Sequence, residues 1–91
     1  MAAAVGRVLG NYILRSVIGR GGMSEVFAGE HRFLGDVVAV KVLRPQLACD
    51  DAQAARFVDE AARTRAVEHP SVVRVLDFGR DEADGTLYLV M

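Results

Sequence analysis

The sequence lacks several features that would assign the protein to a broad class. Its single cysteine, Cys49, cannot form an internal disulfide, which favours a reducing compartment. The formal net charge of −1 provides no basic field for nucleic acid or an anionic membrane. No apolar run is long enough to span a bilayer, and residues 1–7 lack the order of a signal peptide. We therefore expect a cytoplasmic domain, although a membrane anchor in a longer parent protein would leave no trace in these residues.

The apolar content is high for so short a chain. The 91 residues are 52% hydrophobic, and they make one small domain or a piece of a larger one. A chain of this size buries only a modest fraction of its surface. We expect part of its apolar surface to be covered by something outside this chain.

Hydrophobic patterning predicts the order strand, strand, strand, helix, strand, strand. Residues 1–11 are expected to form a flexible leader, and residues 12–91 the folded domain. The predicted strands cover residues 12–18, 24–30, 37–43, 72–78 and 86–91. The valine-rich third strand is expected to be central. Short links favour an α+β fold, a five-stranded antiparallel sheet with one main helix packed on it.

The helix is expected to begin at a cap formed by Asp50 or Asp51 and to end before Pro70. Its predicted apolar face has helical spacing and comprises Ala54, Phe57, Val58, Ala61 and Ala62.

A glycine-rich turn, with Gly19, Gly21 and Gly22, lies between the first two predicted strands. Glycines without Cβ let backbone amides approach phosphate oxygens closely. The turn is not a dinucleotide fingerprint, because a strand rather than a helix follows it, and it lacks the Gly-Lys-Ser/Thr ending of a Walker A loop. A hairpin turn without a ligand stays open as the alternative.

Lys41 stands on the predicted central strand, where an unpaired buried ammonium would be costly. Glu60 borders the apolar helix face and is expected to point inward toward Lys41, whereas Asp59 is expected to be exposed. The alternatives are a lysine that reaches solvent and a solvated glutamate.

Five blocks resemble the N-terminal lobe of eukaryotic-type serine/threonine protein kinases, and the bacterial branch is the most similar. The resemblance extends from about residue 12 to residue 91, and the blocks come in the order and spacing expected for that family. The blocks are Ile18-Gly19-Arg20-Gly21-Gly22-Met23-Ser24-Glu25-Val26, Val38-Ala39-Val40-Lys41-Val42-Leu43, Arg56-Phe57-Val58-Asp59-Glu60-Ala61, His69-Pro70-Ser71-Val72-Val73 and Leu87-Tyr88-Leu89-Val90-Met91.

The resemblance implies an ATP site. It implies that Lys41 holds the α- and β-phosphates and that Glu60 orients it, so these two are the implied catalytic residues. The glycines imply a lid over the phosphates, and Met91 falls where the family gates the back of the pocket. The implied nucleotide-binding residues are Ile18, Gly19, Gly21, Gly22, Ser24, Val26, Ala39, Lys41, Val73 and Met91.

Two tripeptides imitate other family motifs. Asp77-Phe78-Gly79 spells the magnesium-binding tripeptide but comes far too early, so it is interpreted as a strand end with a glycine turn. His31-Arg32-Phe33 begins like the catalytic loop but lies in a predicted hairpin. No metal ligand is assigned in this chain, and the Mg²⁺ of a complete kinase is expected to be held elsewhere.

The leading hypothesis is a kinase small lobe from an enzyme that transfers the γ-phosphate of ATP to protein serine or threonine hydroxyls. Its protein substrates would bind through a C-terminal lobe absent from this chain, which alone is expected to be inactive. Two alternatives remain: a non-catalytic regulatory or dimerising module that self-associates through the sheet underside or the helix, and a stand-alone nucleotide sensor.

Overall fold

The computed structural model describes residues 5–22, 24–66 and 74–91, and its strands form one sheet. In chain order the elements are β1 (Val8–Leu9), β2 (Tyr12–Arg20), β3 (Ser24–His31), β4 (Val37–Leu43), α1 (Pro45–Ala48), α2 (Asp51–Ala66), β5 (Asp77–Arg80) and β6 (Leu87–Val90). Among these described residues, no helix is both long enough and apolar enough to cross a membrane.

The sheet is antiparallel throughout, in the spatial order β1-β2-β3-β4-β6-β5. Strand β4 lies between β3 and β6, which agrees with the central position expected from its valine-rich run. The predicted α+β fold with one main helix is therefore confirmed, with six strands instead of five.

The sixth strand, β1, lies within the segment that the sequence assigned to a flexible leader. Leu9 is fully buried and pairs with Tyr12, and Gly10 between them has φ +60°. Glycine adopts this left-handed conformation without steric cost, so the chain folds back and buries Leu9. The burial of Leu9 and the pairs of Arg7 with Asp81 and Asp84 attach this segment to the rest of the fold, which composition alone did not indicate.

The last two strands are shorter than predicted. Strand β5 begins at Asp77 rather than at residue 72, and residues 74–76 are not in a strand. The first two residues of the predicted strand, 72 and 73, lie outside the described residues.

Each face of the sheet has its own apolar cluster. The face that contacts α2 buries Leu43, Leu87 and Leu89 against Phe57 and Ala61 of that helix. The opposite face buries the alternate residues, namely Leu9, Tyr12, Leu14, Phe27, Val38, Val40, Val42, Tyr88 and Val90. A sheet buried on both sides explains the nearly continuous apolar run of β4.

Helix α2 begins as predicted but buries a narrower face. Asp50 caps it, because its Oδ1 accepts the Ala52 and Gln53 amide protons at 2.9 and 3.3 Å. Val58 is 47% exposed and Ala62 is also exposed, contrary to the predicted apolar face. Both line a groove between α2 and the start of β5, so they lie beside the contact with the sheet and not within it.

Candidate functional site

The glycine loop, residues 19–24, closes the hairpin between β2 and β3. Arg20 pairs with Glu25 across the hairpin, and Gly19 pairs with Val26. The Gly21 N–H donates to the Ser24 carbonyl oxygen at 2.8 Å. The resemblance to the kinase lobe implies that Met23 is at the tip of this loop, but Met23 lies outside the described residues. The loop is thus a tight connection held at both strand ends.

The geometry of the loop does not itself require glycine. An ideal Cβ on Gly19 or Gly22 would meet nothing within 4 Å, and one on Gly21 would lie 3.6 Å from the Ser24 oxygen, an ordinary contact. None of the three has positive φ, unlike Gly85 in the β5–β6 turn at +83°. The open space beside Gly19 and Gly22 leaves room for a ligand to approach the backbone of the loop.

Lys41 lies on β4 between Val26 of β3 and Leu89 of β6. Its side chain is 21% exposed, and its Nζ lies 2.5 Å from Oε1 of Glu60 on α2. The contact expected from the sequence is therefore present. The paired ammonium avoids the cost of an isolated buried charge.

Glu60 and its neighbour Asp59 point in different directions, as the helix position of each predicted. The Glu60 side chain is 53% exposed and meets Lys41, whereas Asp59 is more exposed and lies 4.0 Å from Arg63 on the next turn. An ion pair this open to water contributes at most about 1 kcal/mol. The Lys41–Glu60 pair therefore contributes little to the stability of the fold.

A cavity of about 430 Å³ lies between the glycine loop, β4 and α2. Its lining residues are Gly21, Gly22, Ser24, Lys41, Leu43, Gln53, Arg56, Phe57 and Glu60. Sequence reasoning did not single out Gln53 or Arg56. The available signal was helix spacing, because Arg56 is four residues before Glu60 and shares its face. With Lys41, Arg56 and one carboxylate, the charged side chains of this lining carry net positive charge, which suits an anionic ligand.

Apolar candidates lie beside Lys41. Val26 and Ala39 occupy the same sheet face as Lys41, because Val26 pairs with Lys41 and Ala39 is two residues before it. Ala39 and Met91 exchange two backbone hydrogen bonds, of 2.9 and 2.8 Å. Val73, the remaining apolar candidate of the deeper pocket, lies outside the described residues.

Ile18, the predicted roof residue of the first strand, is 62% exposed at a bulge. The register of β2 against β3 shifts between Val17 and Gly19, and again between Leu14 and Ser16. A bulge adds one residue to a strand and reverses the alternation beyond it. The bulges therefore interrupt the alternation of side chains along β2, and Ile18 lies next to the glycine loop without a paired residue on β3.

The tripeptide Asp77–Gly79 occupies the first part of β5, not a strand end with a glycine turn. Its aspartate accepts a hydrogen bond from the Tyr12 hydroxyl, with 3.2 Å between the oxygens. Its glycine faces Tyr88, the cross-strand partner on β6. Among residues 5–22, 24–66 and 74–91, no group of three or more His, Cys, Asp or Glu side chains is arranged to hold a metal ion.

His31 has a structural role in the β3–β4 turn. Its Nδ1 accepts the Phe33 and Leu34 amide protons at 3.2 and 3.1 Å, and its ring stands edge-on to Tyr12. This agrees with the hairpin predicted for the His31-Arg32-Phe33 tripeptide. The other histidine, His69, lies outside the described residues.

The model of the protein kinase domain family matches residues 12–91. The chain belongs to the protein kinase family. The antiparallel sheet with its single main helix is the small lobe of that fold, and the Lys41–Glu60 pair lies in it between β4 and α2.

Curated bacterial relatives share the sequence of this small lobe. This chain is 45% identical over 87 residues to SCO3848, a probable serine/threonine-protein kinase of Streptomyces coelicolor. The matched region covers 93% of this chain and 13% of that protein. It is 48% identical over 82 residues to the probable serine/threonine-protein kinase PknB of Corynebacterium glutamicum. That match covers 88% of this chain and 13% of PknB. The chain thus spans about an eighth of the curated relatives that it matches.

Solved kinase structures agree with the fold. The Mycobacterium tuberculosis PknI kinase domain has a TM-score of 0.73 and 32% identity, covering 100% of this chain and 36% of that one. PpkA-294 in its apo form has a TM-score of 0.79 at 21% identity, covering 98% and 37%, and it supports the fold alone.

Proposed function

We propose that this small lobe binds ATP for a serine/threonine protein kinase that transfers the γ-phosphate to hydroxyls of protein substrates. The observation that carries the proposal is the Lys41–Glu60 pair at the wall of a cavity covered by the glycine loop. The names of the curated relatives support serine and threonine as acceptors.

Each candidate residue has a proposed task. The ammonium of Lys41 meets the α- and β-phosphates, and the Glu60 carboxylate fixes its direction. Backbone amides of the glycine loop donate to phosphate oxygens. The apolar contacts to adenine are assigned to Ile18, Val26, Ala39, Val73 and Met91.

Mg²⁺ and the protein substrate are assigned to parts of a complete kinase outside these 91 residues. Phosphoryl transfer depends on positioning and on charge stabilisation at the transferred group. The residues of this lobe supply an ammonium and backbone amides on one side of the phosphates. We therefore propose that the 91-residue chain binds nucleotide weakly and does not transfer phosphate by itself.

Titration with ATP at millimolar concentration, followed by calorimetry or amide chemical shifts, tests nucleotide binding. Lys41→Met should weaken ATP binding about tenfold or more, because a charge-assisted hydrogen bond is lost. Arg63→Met is the matched control, because it removes one exposed positive charge that does not line the cavity, and it should change affinity by less than about twofold. Equal affinities of the wild type and Lys41→Met would contradict the proposal.

A phosphotransfer assay tests the inactivity of the isolated lobe. With labelled ATP, Mg²⁺ and a generic protein substrate, residues 1–91 should give no turnover above the Lys41→Met variant. Robust turnover that depends on Lys41 would show that this lobe contains a complete catalytic apparatus.

The groove between α2 and β5 favours a second candidate function, a self-associating regulatory module. It has a volume of about 770 Å³, and the exposed apolar side chains of Val58 and Leu76 line it. Exposed apolar surface of this kind favours protein contacts. Sedimentation would show a discrete dimer that Val58→Glu dissociates, whereas a monomer at all concentrations would exclude the module.

A further inference from the structure

A carboxylate on the opposite face of the sheet from Lys41 lies at the base of the glycine loop. Glu25 is the second residue of β3, paired across the hairpin with Arg20 and on its other side with Val42 of β4. Because side chains alternate along a strand, Glu25 and Val26 point to opposite faces. Glu25 therefore cannot touch a ligand beneath the loop and acts only through the backbone of the hairpin.

Glu25 is buried between two arginines. It is 6% exposed, and it is the only buried charged side chain among residues 5–22, 24–63 and 74–91. The Arg20 Nε lies 3.5 Å from its Oε2, and the Arg44 Nε lies 3.9 Å from its Oε1. Each carboxylate oxygen thus faces a different cation.

The two arginines come from different ends of the site. Arg20 is the last residue of β2 and lies within the glycine loop, and Arg44 directly follows β4, three residues after Lys41. The Arg44 Nε is buried and makes no hydrogen bond within the described residues, so the Glu25 charge is its compensation. Glu25 connects the loop that covers the cavity to the strand that holds the lysine.

Stability alone does not favour a carboxylate at this position. The neighbouring positions on this face are apolar, including Phe27 and Val42, and a buried ion pair is often no more stable than apolar residues of similar volume. A buried pair that loses one partner, however, leaves an uncompensated charge, which is strongly destabilising. The Glu25 carboxylate therefore depends on its two cations, although it adds little stability over an apolar residue of similar volume.

We propose that Glu25 is a positioning residue. Its buried carboxylate, shared by Arg20 and Arg44, holds the base of the glycine loop in register with the strand that carries Lys41. The effect on nucleotide affinity rests on the proposed function, whereas the effect on the loop does not.

Hydrogen exchange of the wild-type chain and its variants tests the proposal without nucleotide. Glu25→Gln keeps the shape and removes the charge, and it should accelerate exchange of the Gly21 amide about tenfold, because the hairpin base opens more often. The Gly85 amide, which donates to Asp81 in the distant β5–β6 turn, should exchange at an unchanged rate. Glu25→Asp, which keeps the charge, should restore part of the protection.

Arg20→Met is the second variant, because Arg20 is exposed on the surface and its loss leaves the core intact. It should accelerate Gly21 exchange in the same direction, and Glu25→Gln should add little to it. Unchanged Gly21 exchange in both variants would overturn the proposal, as would equal acceleration at Gly21 and Gly85.

ATP titrations of the same variants separate the effect of Glu25 on the loop from the proposed nucleotide binding. The positioning role predicts that Glu25→Gln and Arg20→Met weaken ATP binding several-fold while Glu25→Asp recovers part of it. A wild type that does not bind ATP would contradict the proposed function, and the exchange rates would still decide the role of Glu25.

Discussion

The backbone of Gly79 lies so close to the phenol of Tyr88 that a side chain at residue 79 would require the Tyr88 ring to move. An ideal Cβ on Gly79 would lie 2.5 Å from Cζ of Tyr88. Real Cβ atoms essentially never have a contact this short. The two residues are cross-strand partners in β5 and β6, and Tyr88 is 8% exposed. The glycine of the Asp77–Gly79 tripeptide therefore has a packing reason, independent of metal binding.

Gly79→Ala should destabilise the lobe by about 1 to 3 kcal/mol, the usual cost of overpacking a core. The ring of Tyr88 must move, and it belongs to the apolar cluster of that face. Thermal or denaturant unfolding measures the change. Gly19→Ala is the matched control, because its Cβ would meet nothing within 4 Å, and it should unfold like the wild type. Equal stability of both variants would contradict the packing argument.

The Asp50 cap should contribute to the helix that carries Glu60. Asp50→Ala removes the acceptor of the Ala52 and Gln53 amides, and it should lower the free energy of unfolding by about 0.5 to 2 kcal/mol. Asp51→Ala, in the first turn of α2, is the control and should cost less, since only its interaction with the helix dipole is lost. Urea unfolding measures both changes. A larger drop in the free energy of unfolding for Asp51→Ala than for Asp50→Ala would show that Asp50 is not the N-cap.

The β5–β6 turn should make the lobe sensitive to acid. Arg7 lies 3.0 Å from Asp81 and 2.9 Å from Asp84, and its guanidinium holds the pKa of Asp84 well below the usual value of 3.8. A lowered pKa in the folded state stabilises the fold above the unfolded-state pKa. That contribution is lost as pH falls below about 4 toward the pKa of the folded state.

Asp84→Asn should therefore be less stable than the wild type near neutral pH, and the difference in melting temperature should shrink below about pH 4. Glu82→Gln, an exposed change in the same turn, is the control for a lost surface charge, because it leaves Arg7 paired with Asp81 and Asp84. A difference for Asp84→Asn that is the same at pH 7 and pH 2 would refute the role of its lowered pKa.

Local chemistry made the main elements and the charge pair predictable. The cap at Asp50, the central valine-rich strand and the contact of Lys41 with Glu60 all follow from helix spacing and strand patterning. The exposed position of Asp59 follows from the same helix spacing. These features depend on residues close in sequence or on a strongly periodic face.

Features that depend on tertiary contacts were not predictable. Strand β1 packs Leu9 into the apolar cluster on one face of the sheet. The bulges at Arg15 and Ile18 depend on how β2 pairs with β3. The narrower apolar face of α2 and the burial of Glu25 likewise depend on which face of the sheet each residue meets. The pattern of apolar and polar residues along one strand or helix does not say which neighbouring element each residue will contact.

Chemical modification of the only lysine in the sequence tests the central claim most directly. Lys41 is the single lysine among 91 residues, so amine acylation followed by mass spectrometry reads this site and the N-terminal amine separately. The account predicts that millimolar ATP slows the acylation of Lys41 several-fold, that adenosine does not, and that the N-terminal amine reacts at an unchanged rate. Acylation of Lys41 at the same rate with and without saturating ATP would contradict the claim that this lysine meets the nucleotide phosphates.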